Sequence, residues 1–489
     1  MGWIDPDKLL QQAMDTLIEG LRAKDALGLT DERWRPGKAL KLLLAGYVGA
    51  RNTGADVRVE EMIRQFRSIF PADALELTMM TLDPAKTAGY FQGARQVTIP
   101  MLFPKFLFDE CPRHHGVVAC EGSMFKSKFA SSLTTMMAGA LGLAAAEGKL
   151  SVGYGAEAGA MEPSLREFVE KHCAKALVLC RNEASRDVLQ KLRIRHRPGA
   201  DTAWTFEPAP PERGAALLQQ AGWDGSQEIL TLCPINPFWW PVRPDVVKAL
   251  AWKFLGEHKK EHHSSIYFHE HSEASEQKYR GYLKSLAGAI TAFRRERGVF
   301  VVLVGMEQLD RKACNDLNAL LPEPVPTFIS DDYNMFDLVS VLRHSSYLVS
   351  SRFHAVVTSM PAQVPSIGIT MDERLRNLFV DRGTPEFLLQ VDEDGLEENL
   401  LLALRRLVRE SPAVAEAIGR FIPSQLRLMG QMGIDLVRET AAIYPDLPRR
   451  QVPESWEYFL PSLPPLVEAL LDRYSDTEAK ALVKLGGST

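Results

Sequence analysis

The stretch Leu42-Leu43-Leu44-Ala45-Gly46-Tyr47-Val48-Gly49-Ala50-Arg51-Asn52-Thr53-Gly54-Ala55-Asp56 decides the fold. Its apolar run has no polar face, which suits a strand buried on both sides of a parallel sheet. Glycines then allow a tight loop, and Val59, Met62, Ile63 and Phe66 recur at helical spacing within 57–70. Strand, glycine loop and helix in succession form the junction at which open α/β sheets bind ligands. A second junction of this kind, Tyr347-Leu348-Val349-Ser350-Ser351-Arg352-Phe353-His354-Ala355, lies in the other half of the chain. Two such loops imply two sheets with a cleft between them, suited to an anionic substrate.

Outward from the first junction the pattern alternates. Strands are expected over 40–45, 75–80, 116–120, 150–154 and 177–180, with helices between them. Phe206-Glu207-Pro208-Ala209-Pro210-Pro211 reads as a linker. A second alternating unit follows, with strands over 229–233, 299–304, 327–329, 347–350 and 366–369. Alternation of this kind means mostly parallel sheets covered on both faces. Residues 7–28 read as a helical arm, and the tail as three helices over 396–408, 413–422 and 426–443, with a last one after Pro465. The expected division is a helical arm (1–38), two α/β domains (39–207 and 208–385) and a helical extension (386–489).

At 489 residues the chain exceeds one typical core, and 46% hydrophobic with 24% charged residues is an ordinary globular balance. The net charge of −5 argues against a nucleic-acid surface, which needs a basic excess. The six cysteines form no C-x-x-C pair and read as buried free thiols. The first residues, Met1 to Pro6, lack the basic and apolar regions of a secretory signal, and no apolar run reaches the roughly 18–20 residues needed to span a bilayer. A cytoplasmic protein is expected, with peripheral contact to a membrane-linked substrate left open.

Several segments carry chemistry, each with a structural reading beside the functional one. Gly49 and Gly54 permit close backbone approach to a ligand, or a tight helix–strand turn; Asn52 and Asp56 either reach the ligand or cap the helix. Glu121, Ser123, Lys126 and Lys128 follow a strand end and line the cleft or a solvated loop. Arg181 follows an apolar strand and either grips an anion or pairs with Glu183. Arg352 and His354 sit in an apolar junction, where unpaired burial is costly; His354 is an acid–base candidate or a satisfied core histidine. His258, His262, His263, His269 and His271 include a pair at helical i, i+4 spacing. No recognised ligand pattern completes a metal site there, and the stretch reads as a solvated insertion. Phe238-Trp239-Trp240 either stacks on a sugar or base or wedges the domains.

Taken together, these segments resemble the polysaccharide pyruvyl transferase family. The resemblance rests on Gly46-Tyr47-Val48-Gly49 with Asn52 and Gly54, on Arg181-Asn182-Glu183-Ala184-Ser185, on Asp201, and above all on Ser351-Arg352-Phe353-His354-Ala355. Val364-Pro365-Ser366-Ile367-Gly368-Ile369 and Asp372-Glu373-Arg374-Leu375 follow as in the family pattern. The resemblance implies two Rossmann-like domains of glycosyltransferase-B type with the active site between them. It also implies transfer of the enolpyruvyl group of phosphoenolpyruvate to sugar hydroxyls as a pyruvate ketal.

On that basis His354 is assigned acid–base work or contact with the leaving phosphate, and Arg352, Arg181 and Arg374 the donor's anionic groups. The loops holding Gly49, Asn52, Gly54, Glu121, Ser123 and Lys126 face the acceptor, a glycan or other sugar-containing molecule. The chemistry calls for no metal or organic cofactor. Two alternatives remain: a glycosyltransferase-B-type enzyme with a nucleotide-activated donor, and a non-catalytic binding protein on the same fold.

Overall fold

A computed structural model of the chain describes residues 5–30, 32–258, 262–264 and 266–474. Met1 to Ile4, part of the segment on which the expectation of no secretory signal rests, and 475–489, beyond the start of the last helix, lie outside the described residues. The arm is helix α1 (Pro6–Ala26), capped by the Asp5 side chain. Strands β1 (Leu40–Val48), β2 (Leu75–Thr81), β3 (Ala94–Thr98), β4 (Gly116–Ala119), β5 (Leu150–Ala156), β6 (Leu177–Cys180) and β7 (Arg195–Pro198) form the first sheet. Between them run α2 (Thr53–Ile69), α3 (Phe103–Glu110), α4 (Ser131–Ala146), α5 (Pro163–Cys173) and α6 (Glu183–Lys191). All pairings are parallel, in the order β3-β2-β1-β4-β5-β6-β7.

Past the linker come α7 (Pro211–Gln220), β8 (Ile229–Cys233), β9 (Arg243–Pro244), α8 (Val246–Leu255), β10 (His262–Ser264), β11 (Tyr267–Phe268) and α9 (Glu273–Arg297). They are followed by β12 (Phe300–Gly305), α10 (Asp310–Asn318), β13 (Thr327–Ile329), α11 (Met335–Arg343), β14 (Tyr347–Ser350), α12 (Phe353–Ser359), β15 (Ser366–Thr370), α13 (Glu373–Asp381), β16 (Leu388–Gln390) and α14 (Leu396–Ile443). The second sheet is also parallel, in the order β13-β12-β8-β14-β15-β16. In both sheets the first strand lies centrally and the chain winds outward first one way, then the other. Strands β1, β4, β8 and β14 are buried along nearly their whole length, as apolar runs covered by helices on both faces must be.

The arm packs on α4, whose small residues make room: a side chain at Gly139 would meet Met14 at 2.6 Å, and one at Gly142 would meet Ile18 at 2.9 Å. All six cysteines are free and buried.

Three sequence expectations need correction. The tail is not three helices but one of 48 residues, continuing through Pro412 and Pro423. A proline inside a helix costs about 3 kcal/mol. Here an apolar stripe including Leu400, Leu404, Leu407, Ile418, Ile422, Leu426 and Met429 is fully buried on both sides of the prolines and offsets that cost. The helix packs along α9 of the second domain and then on the first, where Gln65 donates to Met429 O at 2.8 Å. The histidine-rich stretch is not a simple solvated insertion either. Strands β9, β10 and β11 form a small antiparallel sheet, and His269 is buried against Trp239 with ring centroids 4.6 Å apart. Finally, His258 lies beyond the end of α8 and His262 in β10, so the pair shares no helix; the side chains of His262 and His263 lie outside the described residues.

Candidate active site

The winding direction reverses between β1 and β4 in one sheet and between β8 and β14 in the other. Ligand crevices of doubly wound sheets form at such switch points. The loops leaving these strands meet at the seam between the domains.

After β1, Gly49 has φ +87°, and a side chain there would meet Thr81 Oγ1 at 2.4 Å and Asp83 N at 2.7 Å. The end of β2 therefore requires this glycine. Arg51, also in the left-handed region, ties the domains together: it donates to Ser330 O at 2.6 Å and Tyr333 O at 3.0 Å, and to Tyr90 Oη at 3.1 Å. Asn52 caps α2, accepting from Ala55 N at 3.2 Å. Thr53 N crosses the seam to Met306 O at 2.8 Å. Asp56 does not cap the helix. It is buried, its Oδ1 has no hydrogen-bond partner, and burial raises its carboxyl well above the ordinary value.

Gly54 faces α12. A Cβ on it would lie 2.3 Å from His354 Nδ1, so the imidazole fills the space a side chain would take. His354 Nε2 sits 3.3 Å from Asp201 Oδ2. The same oxygen accepts from Arg181 Nη1 at 2.8 Å and pairs with Arg58 Nε at 3.0 Å. Burial alone would raise the Asp201 carboxyl, but Arg58, His354 and Arg181 hold it far below its ordinary value. Burial lowers the pKa of His354, and Asp201 only partly restores it. An ionised carboxylate can only accept, so Nε2 carries the imidazole proton and Nδ1 the lone pair. A carboxylate that fixes the tautomer of a neutral imidazole is the arrangement of a general base.

Arg181 is held on three sides. It donates through Nε to Glu157 Oε2 at 2.9 Å and through Nη2 to the same atom, contacts Asp201, and lies 4.4 Å over the Phe353 ring. Its partners are Glu157 and Asp201, whereas Glu183 pairs with Arg186. Lys126 is buried between Glu157, at 3.4 Å, and Glu373 of the second domain, at 2.9 Å. Arg374 donates to Asp372 at 2.8 Å and stacks 4.5 Å over Phe129. Glu121 accepts from Tyr47 N at 3.0 Å, and Ser123 and Lys128 are half-buried in the same loop.

Arg352 precedes α12 but turns the other way. It grips Asp310 through two nitrogens, with Nε 2.9 Å from Oδ2, and reaches Glu307 at 3.0 Å. Burial pushes the Asp310 carboxyl up to about 6 despite Arg352. The fold thus brings His354, Arg181 and Gly54 together around Asp201, and links Lys126 to them through Glu157. Arg352 holds separate partners on the second domain, Arg374 pairs with Asp372 there and stacks on Phe129 across the seam, and Gly49 and Asn52 serve the turn and the helix cap.

Sequence reasoning missed Arg58 and Glu157. Arg58 is fully buried in α2, and its guanidinium donates to Cys120 O at 3.0 Å and Gly155 O at 2.8 Å, binding the ends of β4 and β5 to Asp201. Its position four residues after Gly54, among Val57, Val59 and Met62, was a readable signal. Glu157 follows an apolar strand just as Arg181 does. Among the described residues, the one group able to share a metal ion is Asp15, Glu19 and His172 on α1 and α5, and the Lys171 ammonium already lies against both carboxylates.

Two doubly wound sheets facing a common seam, closed by a long C-terminal helix that returns to the first domain, define a two-domain α/β protein of GT-B type. The fold is similar to that of UDP-GlcNAc 2-epimerase from Neisseria meningitidis bound to UDP-GlcNAc, with TM-score 0.51 and 10% identity over 82% of this chain and 100% of that one. Phytolacca americana UGT2, complexed with UDP-2fluoro-glucose and pterostilbene, aligns with TM-score 0.49 and 10% identity over 84% and 100% of the two chains. No curated protein matches the sequence. Residues 137–373 match the family model of polysaccharide pyruvyl transferase, a stretch that contains Glu157, Arg181, Asp201, Arg352 and His354. The chain is an enzyme of the transferase class, similar over this stretch to the polysaccharide pyruvyl transferases.

Proposed function

We propose that the chain transfers the enolpyruvyl group of phosphoenolpyruvate to two hydroxyls of a sugar, forming a pyruvate ketal and releasing phosphate. The observation that carries this reading is the Asp201–His354 pair, set against Arg181 within the stretch matched to the family and against Arg58 from α2.

The bonds balance without redox change. The enol CH2 takes up one proton and becomes a methyl group; one hydroxyl oxygen bonds to the adjacent carbon; the second replaces the phosphate oxygen there. Of the two hydroxyl protons, one ends on the methyl carbon and one on phosphate. Neutral His354 takes the hydroxyl proton at Nδ1 and returns it, while Asp201 stabilises the imidazolium between the two steps. Lys126 is the cation most readily turned to the donor, since its partner Glu373 is 29% exposed and belongs to the other domain. Arg181 and Arg374 complete the anion-binding set by exchanging carboxylate partners for those of the donor, whereas Arg352 stays with Asp310 and Glu307.

Phosphate release from phosphoenolpyruvate in the presence of a glycan panel, measured for the wild type and for His354→Ala, tests the reading. Release that depends on acceptor and falls at least about a hundredfold in the variant is expected. Turnover of nucleotide sugars with none of phosphoenolpyruvate, or unchanged turnover in the variant, overturns it.

A further inference from the structure

Helix α8 reads Val246-Val247-Lys248-Ala249-Leu250-Ala251-Trp252-Lys253-Phe254-Leu255, and none of its residues with a described side chain is buried. Val246 is 46% exposed, Val247 51%, Leu250 53% and Leu255 71%. Apolar side chains this open on a single element mark an interaction surface.

The arrangement around the helix axis specifies the partner. At 100° per residue, Val246, Leu250, Val247, Ala251 and Leu255 follow one another through half a turn of the circumference. Lys253 borders this arc on one side and Lys248 on the other. No acidic residue lies within the helix, in a chain whose net charge is −5. Asp245 just before it is committed as the N-cap, accepting from Lys248 N at 2.9 Å, and exposed Arg243 precedes it, 3.5 Å from Glu162. Glu257 follows the helix. An apolar half flanked by lysines, of which Lys248 lies 5.8 Å over the Phe268 ring, is the pattern of a helix lying in the plane of an anionic bilayer surface. At ten residues it is far too short to span one, and no described helix meets the length and apolarity needed to cross a membrane.

Position agrees with this partner. The segment leading into α8 is fixed to the seam: Val242 N donates to Phe129 O at 2.9 Å, and Trp240 packs edge-on to Phe129 at 5.2 Å. Phe129 lies beneath Arg374, whose neighbour Glu373 holds Lys126. The helix therefore begins four residues beyond a contact with the margin of the active site.

We infer that α8 docks the enzyme on an anionic lipid surface and so presents the crevice to a sugar carried on a membrane anchor. The docking itself does not rest on the donor proposed above.

Sedimentation with vesicles of phosphatidylcholine, with and without about a third phosphatidylglycerol, tests it on the full chain. The wild type should pellet with anionic vesicles and be released by salt. Lys248→Gln and Lys253→Gln should each weaken binding about fivefold. Leu250→Glu should abolish it while leaving the melting temperature unchanged, because the side chain is exposed. Equal binding to neutral vesicles, or no binding beyond that of Leu250→Glu, overturns the inference. So does a wild-type oligomer that Leu250→Glu converts to monomer, because a second copy would then own this face.

Discussion

Asp201 gathers two guanidinium groups and an imidazole on a single oxygen. Replacing it with Ala leaves Arg58 and Arg181 with an uncompensated buried charge, which should cost about 3–5 kcal/mol in urea unfolding. Its native pKa lies below the unfolded value, so its contribution is complete above about pH 4 and fades as the pH falls. The base form of His354 is the neutral one, and burial keeps its pKa below the usual value near 6.5. Turnover should therefore rise with pH along an acid limb lying below that of free imidazole. Asp201→Asn should move the limb further down, since the carboxylate favours the imidazolium; a limb that stays in place would assign the titration to another group. Gly54→Ala puts a methyl group 2.3 Å from Nδ1. Turnover should drop more than about tenfold with the melting temperature little changed, because the misplaced group is a side chain and small displacements of a base are costly.

At the scale of elements, α14 shows what local sequence signals leave out. Pro412 and Pro423 read as breaks, and no propensity scale weighs the buried stripe that carries the helix through them. Its fit is tight: a side chain at Gly430 would lie 2.3 Å from Trp456 O. Gly430→Ala should therefore destabilise the protein by about 1–3 kcal/mol, read as a lower urea midpoint. The central strands β1, β8 and β14 were legible because burial on both faces demands an apolar run. Edge strands β3, reading Ala94-Arg95-Gln96-Val97-Thr98, and β7, reading Arg195-His196-Arg197-Pro198, face solvent, need no such run and show none. The junction holding Arg352 and His354 was legible for the converse reason, as charge placed where the chain is otherwise apolar. Arg58 and Glu157 acquire meaning only through partners on other strands, and the Arg181–Glu157 pair spans the ends of β6 and β5.

For the molecule as a whole, Arg51 is the bolt across the seam. Arg51→Ala removes charged hydrogen bonds to two carbonyls of the second domain and should cost at least about 2 kcal/mol. Calorimetry should then resolve two transitions where the wild type shows one. The polypeptide passes between the halves twice, once through the linker after Trp204 and once along α14, and the two passages touch at Trp204 and Phe421, with ring centroids 5.8 Å apart. Like the pages of a bound book, the halves share a spine. A rotation about that line would stretch the chain little while parting the ends of the sheets, and the Lys126–Glu373 bond is among the contacts it would break.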